Sequence, residues 1–274
     1  MHNFAVTALL YSSRYVRKIF GLRPHPGGQL YSELELAKAP DFDAKFVDFS
    51  LEGKTVLEIG CGYGGYIAHA RRQKKALFVY AYEPDALRVE TTNEYLAQAG
   101  VDGFKIYCGD ARRMTEISDG QIDVVFSDAV LEHIAGTELL LNEIFRVLRP
   151  GGVAYHSWSP PWFHWNGGHL RKYIPIPWAH ALFSDAVILD VLARQKESGE
   201  IAGYKIDEMM GCYSTLAKLS LRKFRLSVQN SRFGKGDIIH SHSNPVKGLI
   251  ARLSQVTEEM FAGDVRVILR KAAD

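Results

Sequence analysis

The sequence is poor in the features that would place it in an unusual class. Its three cysteines, Cys61, Cys108 and Cys212, are odd in number, and two of them stand against expected strand ends where a small apolar residue fits. They read as reduced thiols of a cytoplasmic protein and not as a disulfide framework. No apolar run approaches the roughly 18 residues that a membrane-spanning helix needs. No internal repeat or low-complexity tract is present, which excludes solenoid and disordered readings. The formal net charge is only +2, so the overall field gives no argument for a polyanionic partner. Acidic residues are missing from one place in particular: none precedes Glu33, whereas Arg14, Arg17, Lys18 and Arg23 all do.

Within that acid-free segment Val6, Leu9, Leu10, Val16 and Phe20 fall at helical spacing. The segment lacks a charged region ahead of its apolar part and has no obvious cleavage site, which argues against a secretory signal and leaves an Arg- and Ser-containing transit peptide open. A helix packed on the domain is the preferred reading, and a membrane-surface helix is its alternative. A second basic run extends from Lys218 through Arg222, Lys223, Arg225, Arg232 and Lys235 to Lys247 and Arg252. A solvated basic face is its ordinary explanation; an RNA or other anionic ligand is the rarer one.

What is present in quantity is apolar side chain, 47% of the residues, enough for one elaborated domain. The expected organisation is an N-terminal helical arm and cap over 1–50, then an α/β domain over 51–274 with a lid insertion at 157–206. Short β-rich runs at 55–59, 77–82, 104–107, 122–126, 153–156, 225–229 and 265–269 alternate with helical stretches at 65–72, 85–99, 138–148 and 207–223. Further helical pieces are expected at 181–198 and 245–262. Alternation of this kind implies a mostly parallel sheet with helices on both faces, which binds ligand at the carboxyl ends of its strands.

The stretch VLEIGCGYGGYIAHA, from Val56 to Ala70, sharpens that expectation. A β-rich run that ends in glycines before a helix lets the backbone turn sharply and approach a ligand closely. Gly60, Gly62 and Gly65 fit a dinucleotide site, while Glu58, Gly60, Gly62 and Gly64 fit a site for S-adenosylmethionine. Glu83, at the end of the second strand, can accept hydrogen bonds from an adenosine ribose in either case. Glu58 separates the two, because a carboxylate there would repel a pyrophosphate and attract a cationic sulfonium and ammonium. Asp110 stands just past the third strand, where it could accept from an adenine amino group beside the backbone of Ala111; capping a helix is the plainer alternative.

VLEIGCGYGG, AYEPD, CGDARRM, IDVVFSDAVLEHI and EIFRVLRPGGVAY arrive in the order and spacing of class I S-adenosylmethionine-dependent methyltransferases, and the chain most closely resembles their type 11 group. The resemblance covers Lys54 to His156 and implies a Rossmann-like, seven-stranded, mostly parallel sheet whose last strand, VRVILRK, is antiparallel, with the aromatic insertion after strand 5. It implies S-adenosylmethionine as cofactor, with Glu58, Gly60, Cys61 and Gly62 at the amino acid end, Glu83 at the ribose, Asp110 and Ala111 at the adenine, and Ser127 and Asp128 beneath the methionine part. Between two glycines, the Cys61 thiol reads as packing and not as chemistry.

Methyl transfer to a hydroxyl requires alignment and removal of a proton. His133, in VLEHI, is the candidate base, with a structural role in the cofactor pocket as the alternative; His169 is a second candidate. After the fourth strand the chain has SDAV where enzymes that methylate nucleobase amines carry Asn- or Asp-Pro-Pro-aromatic, which disfavours nucleic acid as the acceptor. All four tryptophans, Trp158, Trp162, Trp165 and Trp178, fall in SWSPPWFHWNGGHLRKYIPIPWAH with His164 and His169. Trp162, His164, Trp165 and Trp178 are the expected substrate lid, and a small aromatic core that roofs the cofactor is the alternative. The histidines are spaced too loosely for a metal, and none is expected. The segment GGHLRKYIPIPWAHALF is similar to segments of bacterial methyltransferases that accompany cell-surface polysaccharide assembly. The expected function is therefore O-methylation of a small-molecule, sugar or glycolipid acceptor, with peripheral contact at the inner membrane face through the basic helix. A quinone or lipid acceptor is the nearest alternative. A nicotinamide oxidoreductase would need a hydride-transfer partner such as Tyr-x-x-x-Lys, which has no fitting place here, and a non-catalytic binding module would not need Glu58, Glu83 and Asp110 together.

Overall fold

A computed structural model describes residues 2–22, 31–240 and 254–273. The chain opens with two helices, α1 (His2–Phe20) and α2 (Tyr31–Asp43), ahead of a single seven-stranded sheet. The strands are β1 (Thr55–Ile59), β2 (Phe78–Glu83), β3 (Phe104–Cys108), β4 (Ile122–Asp128), β5 (Leu148–Trp158), β6 (Asp237–His240) and β7 (Val265–Arg270), in the spatial order β3-β2-β1-β4-β5-β7-β6. The first five run parallel, and β7 lies antiparallel between β5 and β6.

Parallel neighbours need crossovers, supplied by α3 (Gly65–Arg72), α4 (Ala86–Gln98) and α5 (Thr137–Val147). The alternating side chains of the strands feed two cores. Leu57, Ile59 and Val125 join Leu140, Leu141 and Ile144 of α5 on one face. Val56, Val79, Val124 and Phe126 join Phe42 of α2, Ile67 of α3 and Leu96 of α4 on the other. Adjacent residues of one strand thus serve opposite cores, the period of two that buries a sheet on both faces.

The region after β5 departs from the expected elements. The expected helix at 181–198 is two helices, α6 (Ala179–Leu182) and α7 (Asp185–Glu197), and the one expected at 207–223 is broken into α8 (Gly203–Thr215) and α9 (Leu221–Asn230). The break falls where Lys218 takes a left-handed backbone, φ 51°. The run at 225–229 is helical, not a strand: RLSVQ alternates like one, but Leu221, Phe224 and Val228 are the buried set, at helical spacing, and Ser220 caps the helix through the Lys223 N–H at 3.2 Å. The sixth strand is the shorter DIIH at Asp237–His240. Of the helix expected at 245–262, α10 (Gln255–Phe261) is described; residues 245–253, with Lys247 and Arg252, and Arg23 near the N-terminus, lie outside the described residues.

A third core joins α1 to this region. Val6, Leu9 and Leu10 pack with Val187, Ile188 and Val191 of α7 and Ile206 and Met209 of α8. Arg14 and Arg17 reach Glu200 at 2.8 and 2.6 Å, so two of the cations of the basic helix are spent within the fold. Among the described residues no helix is long and apolar enough to cross a membrane.

Candidate active site

The carboxyl ends of β1, β2 and β4 converge on the glycine turn. Gly60, Gly62 and Gly64 all have positive φ, at 71°, 52° and 84°. At Gly60 a side chain is barred twice, by that φ and by Val130 Cγ2, 2.6 Å from where a Cβ would sit. At Gly62 it would meet the carboxylate of Glu35. Cys61 between them is 1% exposed, and burial pushes its thiol well above the ordinary range, so it packs and does not ionise.

Glu35 is a member of this site that the sequence did not single out. From α2 it accepts hydrogen bonds from the N–H groups of Tyr63 and Gly65, at 3.1 Å each, and so caps the start of α3 from another helix. Ser32 Oγ donates to the Tyr63 carbonyl at 2.8 Å, and the Tyr31 ring stacks on Tyr63. The α2 helix therefore fastens the glycine turn at three points. The only signal in the sequence was an acid among the first turns of a helix, which resembles an ordinary solvated residue.

Glu58, 3% exposed, leaves Oε2 without a hydrogen-bond partner. Burial, then Glu35, Glu83 and Asp128, push its carboxyl well above the ordinary range. Such a cluster calls for a cation, and no lysine or arginine among the described residues pairs with Glu58. Glu83 accepts from the Gly62 N–H at 3.1 Å with one oxygen and from the Asp85 N–H at 3.2 Å with the other, keeping a free lone pair on each for a ligand hydroxyl. The orphaned Glu58 oxygen, the side-chain-free cradle and the spare acceptors of Glu83 fit the S-adenosylmethionine expected here.

Ser127 and Asp128 end β4. Asp128 is gripped by Lys45 Nζ at 2.9 Å and the Tyr66 hydroxyl at 2.7 Å, and Lys45 also donates to Ser157 Oγ at 2.6 Å. Ser127 Oγ stands 2.8 Å from Nδ1 of His156, a fully buried imidazole whose pKa burial lowers to about 3. The two therefore form a neutral floor. Asp110 sits differently: its carboxylate takes three hydrogen bonds from the Arg112 guanidinium, the shortest 2.6 Å, and is held below the ordinary range chiefly by them. It is half exposed, whereas Ala111 beside it is buried.

A second group of polar side chains, around His133, is assembled from distant segments. His133, on the short 3-10 turn after β4, places Nδ1 2.9 Å from Thr215 Oγ1 at the end of α8, and Thr215 donates its own proton to the Cys212 carbonyl at 2.9 Å. The hydroxyl hydrogen being spent, His133 donates from Nδ1–H, which assigns the proton to that nitrogen and leaves Nε2 as a free base. Burial lowers the His133 pKa, and the nearby Arg88 adds to this, so the ring is neutral at pH 7. The ring of His169 lies 6.0 Å away; its Nε2 is buried without a partner, its backbone is left-handed at φ 60°, and burial brings its pKa to about 4. Between Leu131 and His133 stands Glu132, 2% exposed, with both carboxyl oxygens unpartnered and its pKa pushed by burial to about 8. Its only sequence signal was a carboxylate inside an apolar turn.

The four tryptophans have different neighbours. Trp158 lies in the main core, 5.8 Å from the Phe224 ring. Trp162 packs edge-on against His180, whose Nε2–H donates to the Trp162 carbonyl at 2.6 Å. Trp165 lies 5.4 Å from the His164 ring and under the Arg171 guanidinium. Trp178 donates from Nε1 to the Phe163 carbonyl at 3.0 Å and faces α9 and α10. Among the described residues no group of three or more His, Cys, Asp or Glu could hold a metal ion.

Comparison with known proteins agrees with the cofactor end. Residues 57–156 match the family model described as a methyltransferase domain. An uncharacterized methyltransferase of Mycobacterium sp. (strain JLS) is 36% identical over 118 residues, 43% of this chain and 43% of that protein. A ubiquinone biosynthesis O-methyltransferase of Pseudomonas paraeruginosa is 33% identical over 108 residues, 39% of this chain and 45% of that protein. The chain thus spans less than half the length of these relatives. Geranyl diphosphate C-methyltransferase of Streptomyces coelicolor A3(2), solved with Mg2+, geranyl diphosphate and S-adenosyl-L-homocysteine, shares the fold with a TM-score of 0.56 at 15% identity, over 90% of this chain and 88% of that one.

Proposed function

We propose that this chain, which carries a class I S-adenosylmethionine-dependent methyltransferase domain, methylates a hydroxyl of a small-molecule, sugar or glycolipid acceptor. When bound, S-adenosylmethionine supplies a methyl group on a sulfonium, which leaves as a neutral thioether. Glu58 and Glu35 would place carboxylates beside its cationic end, Glu83 would accept from its ribose hydroxyls, and the glycine turn would give it backbone contact. The observation that carries the hydroxyl reading is the contact of His133 Nδ1 with Thr215 Oγ1 at 2.9 Å: with Nδ1 engaged there, Nε2 is the nitrogen left to take a proton. As the acceptor oxygen attacks, its proton passes to Nε2, and Thr215 keeps the ring oriented while the charge appears. Glu132 and His169, both buried and neutral, keep the acceptor side dry and uncharged, which strengthens that proton transfer.

The test is a labelled-methyl transfer assay on extract fractions, run alongside calorimetry with S-adenosylhomocysteine. Transfer to a hydroxyl compound that His133→Ala abolishes while S-adenosylhomocysteine still binds supports the proposal. Tight binding of NADH without binding of S-adenosylhomocysteine would overturn the cofactor, and transfer to a carbon or nitrogen acceptor would overturn the hydroxyl. The likeness over 39% of the chain to a ubiquinone biosynthesis O-methyltransferase supports a quinone acceptor as the second reading.

A further inference from the structure

The aromatic insertion and the basic run meet at a cavity of about 620 Å³ between α9, α10 and the loop carrying Phe163 and Trp178. None of its lining residues belongs to the glycine turn, to the carboxylate cluster or to the His133 side. We propose that this cavity is a second binding site, for a single-chain amphiphile: an alkyl or isoprenyl chain carrying an anionic head.

The chain end of the argument is apolar surface left in water. Phe163, Leu226 and Val256 are 48%, 47% and 68% exposed, and all three, with Trp178 and Met260, line the same cavity. Covering them inside a concave space returns hydrophobic free energy that a scattered set of exposed residues would not. Trp178 is pre-set as a wall, because its indole N–H is already satisfied by the Phe163 carbonyl at 3.0 Å and asks for no polar partner in a ligand. The volume lies in the range of small-ligand cavities, about 300 to 1,000 Å³, and is too small for a folded partner.

The head end follows from which charges are spent. Arg225 is locked to Glu258 by two hydrogen bonds of 2.7 and 2.6 Å. The carboxylate of Glu259 is consumed by the N–H groups of Leu221 and Arg222, at 2.9 and 2.7 Å, at the start of α9. The Arg222 guanidinium, by contrast, lines the cavity and has no ion pair or hydrogen bond of its own among the described residues, so it is the cation there with donors left to meet an anionic head. A guanidinium at the edge of an apolar cavity pairs with a phosphate or carboxylate, each end of the ligand meeting its own kind of surface.

The site does not depend on methyl transfer, and its test is a binding measurement on the full chain: calorimetry with dodecyl phosphate below its micellar concentration. Saturable one-to-one binding is expected, with no measurable binding of inorganic phosphate. Leu226→Arg, at an exposed position, should weaken it at least about tenfold by placing a charge in the apolar wall, and Arg222→Ala should weaken it about threefold to tenfold. Both variants should bind S-adenosylhomocysteine as the unaltered protein does. Absence of saturable binding, or an unchanged affinity in Leu226→Arg, would overturn the site; an unchanged affinity in Arg222→Ala would overturn the anionic head. A protein that binds dodecyl phosphate but transfers no methyl group would overturn the function proposed above and leave this site standing.

Discussion

The cofactor end and the His133 group proposed as the acceptor end are held together by different parts of the chain. At the cofactor end the backbone does most of the work: Gly60 and Gly62 at positive φ, the Gly62 N–H on Glu83, and the Tyr63 and Gly65 N–H groups on Glu35. At the proposed acceptor end the work falls to side chains that meet across long separations, His133 with Thr215 and His133 with His169. A backbone cradle is rigid once its turn is formed, so its charges can be left unbalanced to await a cation. A side-chain constellation is set by the packing of α8 and the insertion, and it keeps its groups neutral by burial. Substitutions should therefore act on affinity at one end and on turnover and pH dependence at the other.

The largest effect expected is on turnover. His133→Ala should lower methyl transfer by about 100-fold or more, the contribution of a positioned base, with S-adenosylhomocysteine affinity unchanged in calorimetry. Thr215→Val, which removes only the partner of Nδ1, should cost about tenfold. Because burial lowers the His133 pKa and the base must be unprotonated, kcat should be flat near neutrality and fall only as pH drops below about 6.5. Loss of cofactor affinity in either variant would erase the division between the two ends.

Glu132 gives the next effect, in stability. Its folded pKa of about 8 stands above the ordinary glutamate value of 4.5, so between these values the folded chain keeps a proton that the unfolded chain has lost. Stability therefore falls as pH rises through that window, by up to about 1.4 kcal/mol per pH unit for one proton. Glu132→Gln should flatten the decline, and urea unfolding at pH 5 and pH 8 should show the variant gaining about 2 to 4 kcal/mol on the original protein at the higher pH. Parallel pH profiles would mean that the acceptor end is wet.

At the cofactor end the effects should be smaller and confined to affinity. Glu83→Ala should weaken S-adenosylhomocysteine by about 1 to 3 kcal/mol, as for a buried acceptor removed from hydroxyl donors. Glu35→Ala should cost about 1 kcal/mol, since it frees the turn without touching the ribose side. Asp110→Ala should cost less than about 1 kcal/mol, because Asp110 is half exposed and already bonded to Arg112. Calorimetry that ranked Asp110 above Glu83 would reverse the assignment of the adenosine site.

Legibility in the sequence followed the same division. The glycine turn could be read because positive φ and close approach admit almost no other residue, and β1 to β5 because each strand alternates between two cores. Glu35 escaped because its partners are backbone groups some 30 residues away, which no spacing announces. Thr215 escaped for the same reason at a separation of 82 residues. The run at 225–229 misled because a five-residue window cannot tell a period of two from one of 3.6; the deciding residues, Leu221 and Phe224, lie ahead of it. The four tryptophans are close in sequence but pack differently: Trp158 belongs to the main core, Trp162 lies against His180, Trp165 beside His164, and Trp178 lines the cavity beside α9, partners that no spacing announces.

The smallest effect concerns α1, which belongs to neither end. Electrostatic attraction of this helix to an anionic membrane is reduced by the pairing of Arg14 and Arg17 with Glu200, which leaves Lys18 as its remaining described basic side chain. What it offers a bilayer instead is an exposed aromatic stripe, Phe4, Tyr11 and Tyr15 at 80%, 64% and 68%, continued by Ile19. A contact of this kind depends more on apolar area than on charge. Flotation with vesicles rich in anionic lipid should therefore recover only a minor fraction of the protein, Phe4→Ser/Tyr15→Ser should reduce it, and Lys18→Ala should change it little, since one exposed lysine contributes about 1 kcal/mol near a charged surface. A larger loss from Lys18→Ala than from the double serine variant would reverse that order and make charge the main attraction. No flotation at all would confine α1 to packing on α7, where Val6, Leu9 and Leu10 already hold it.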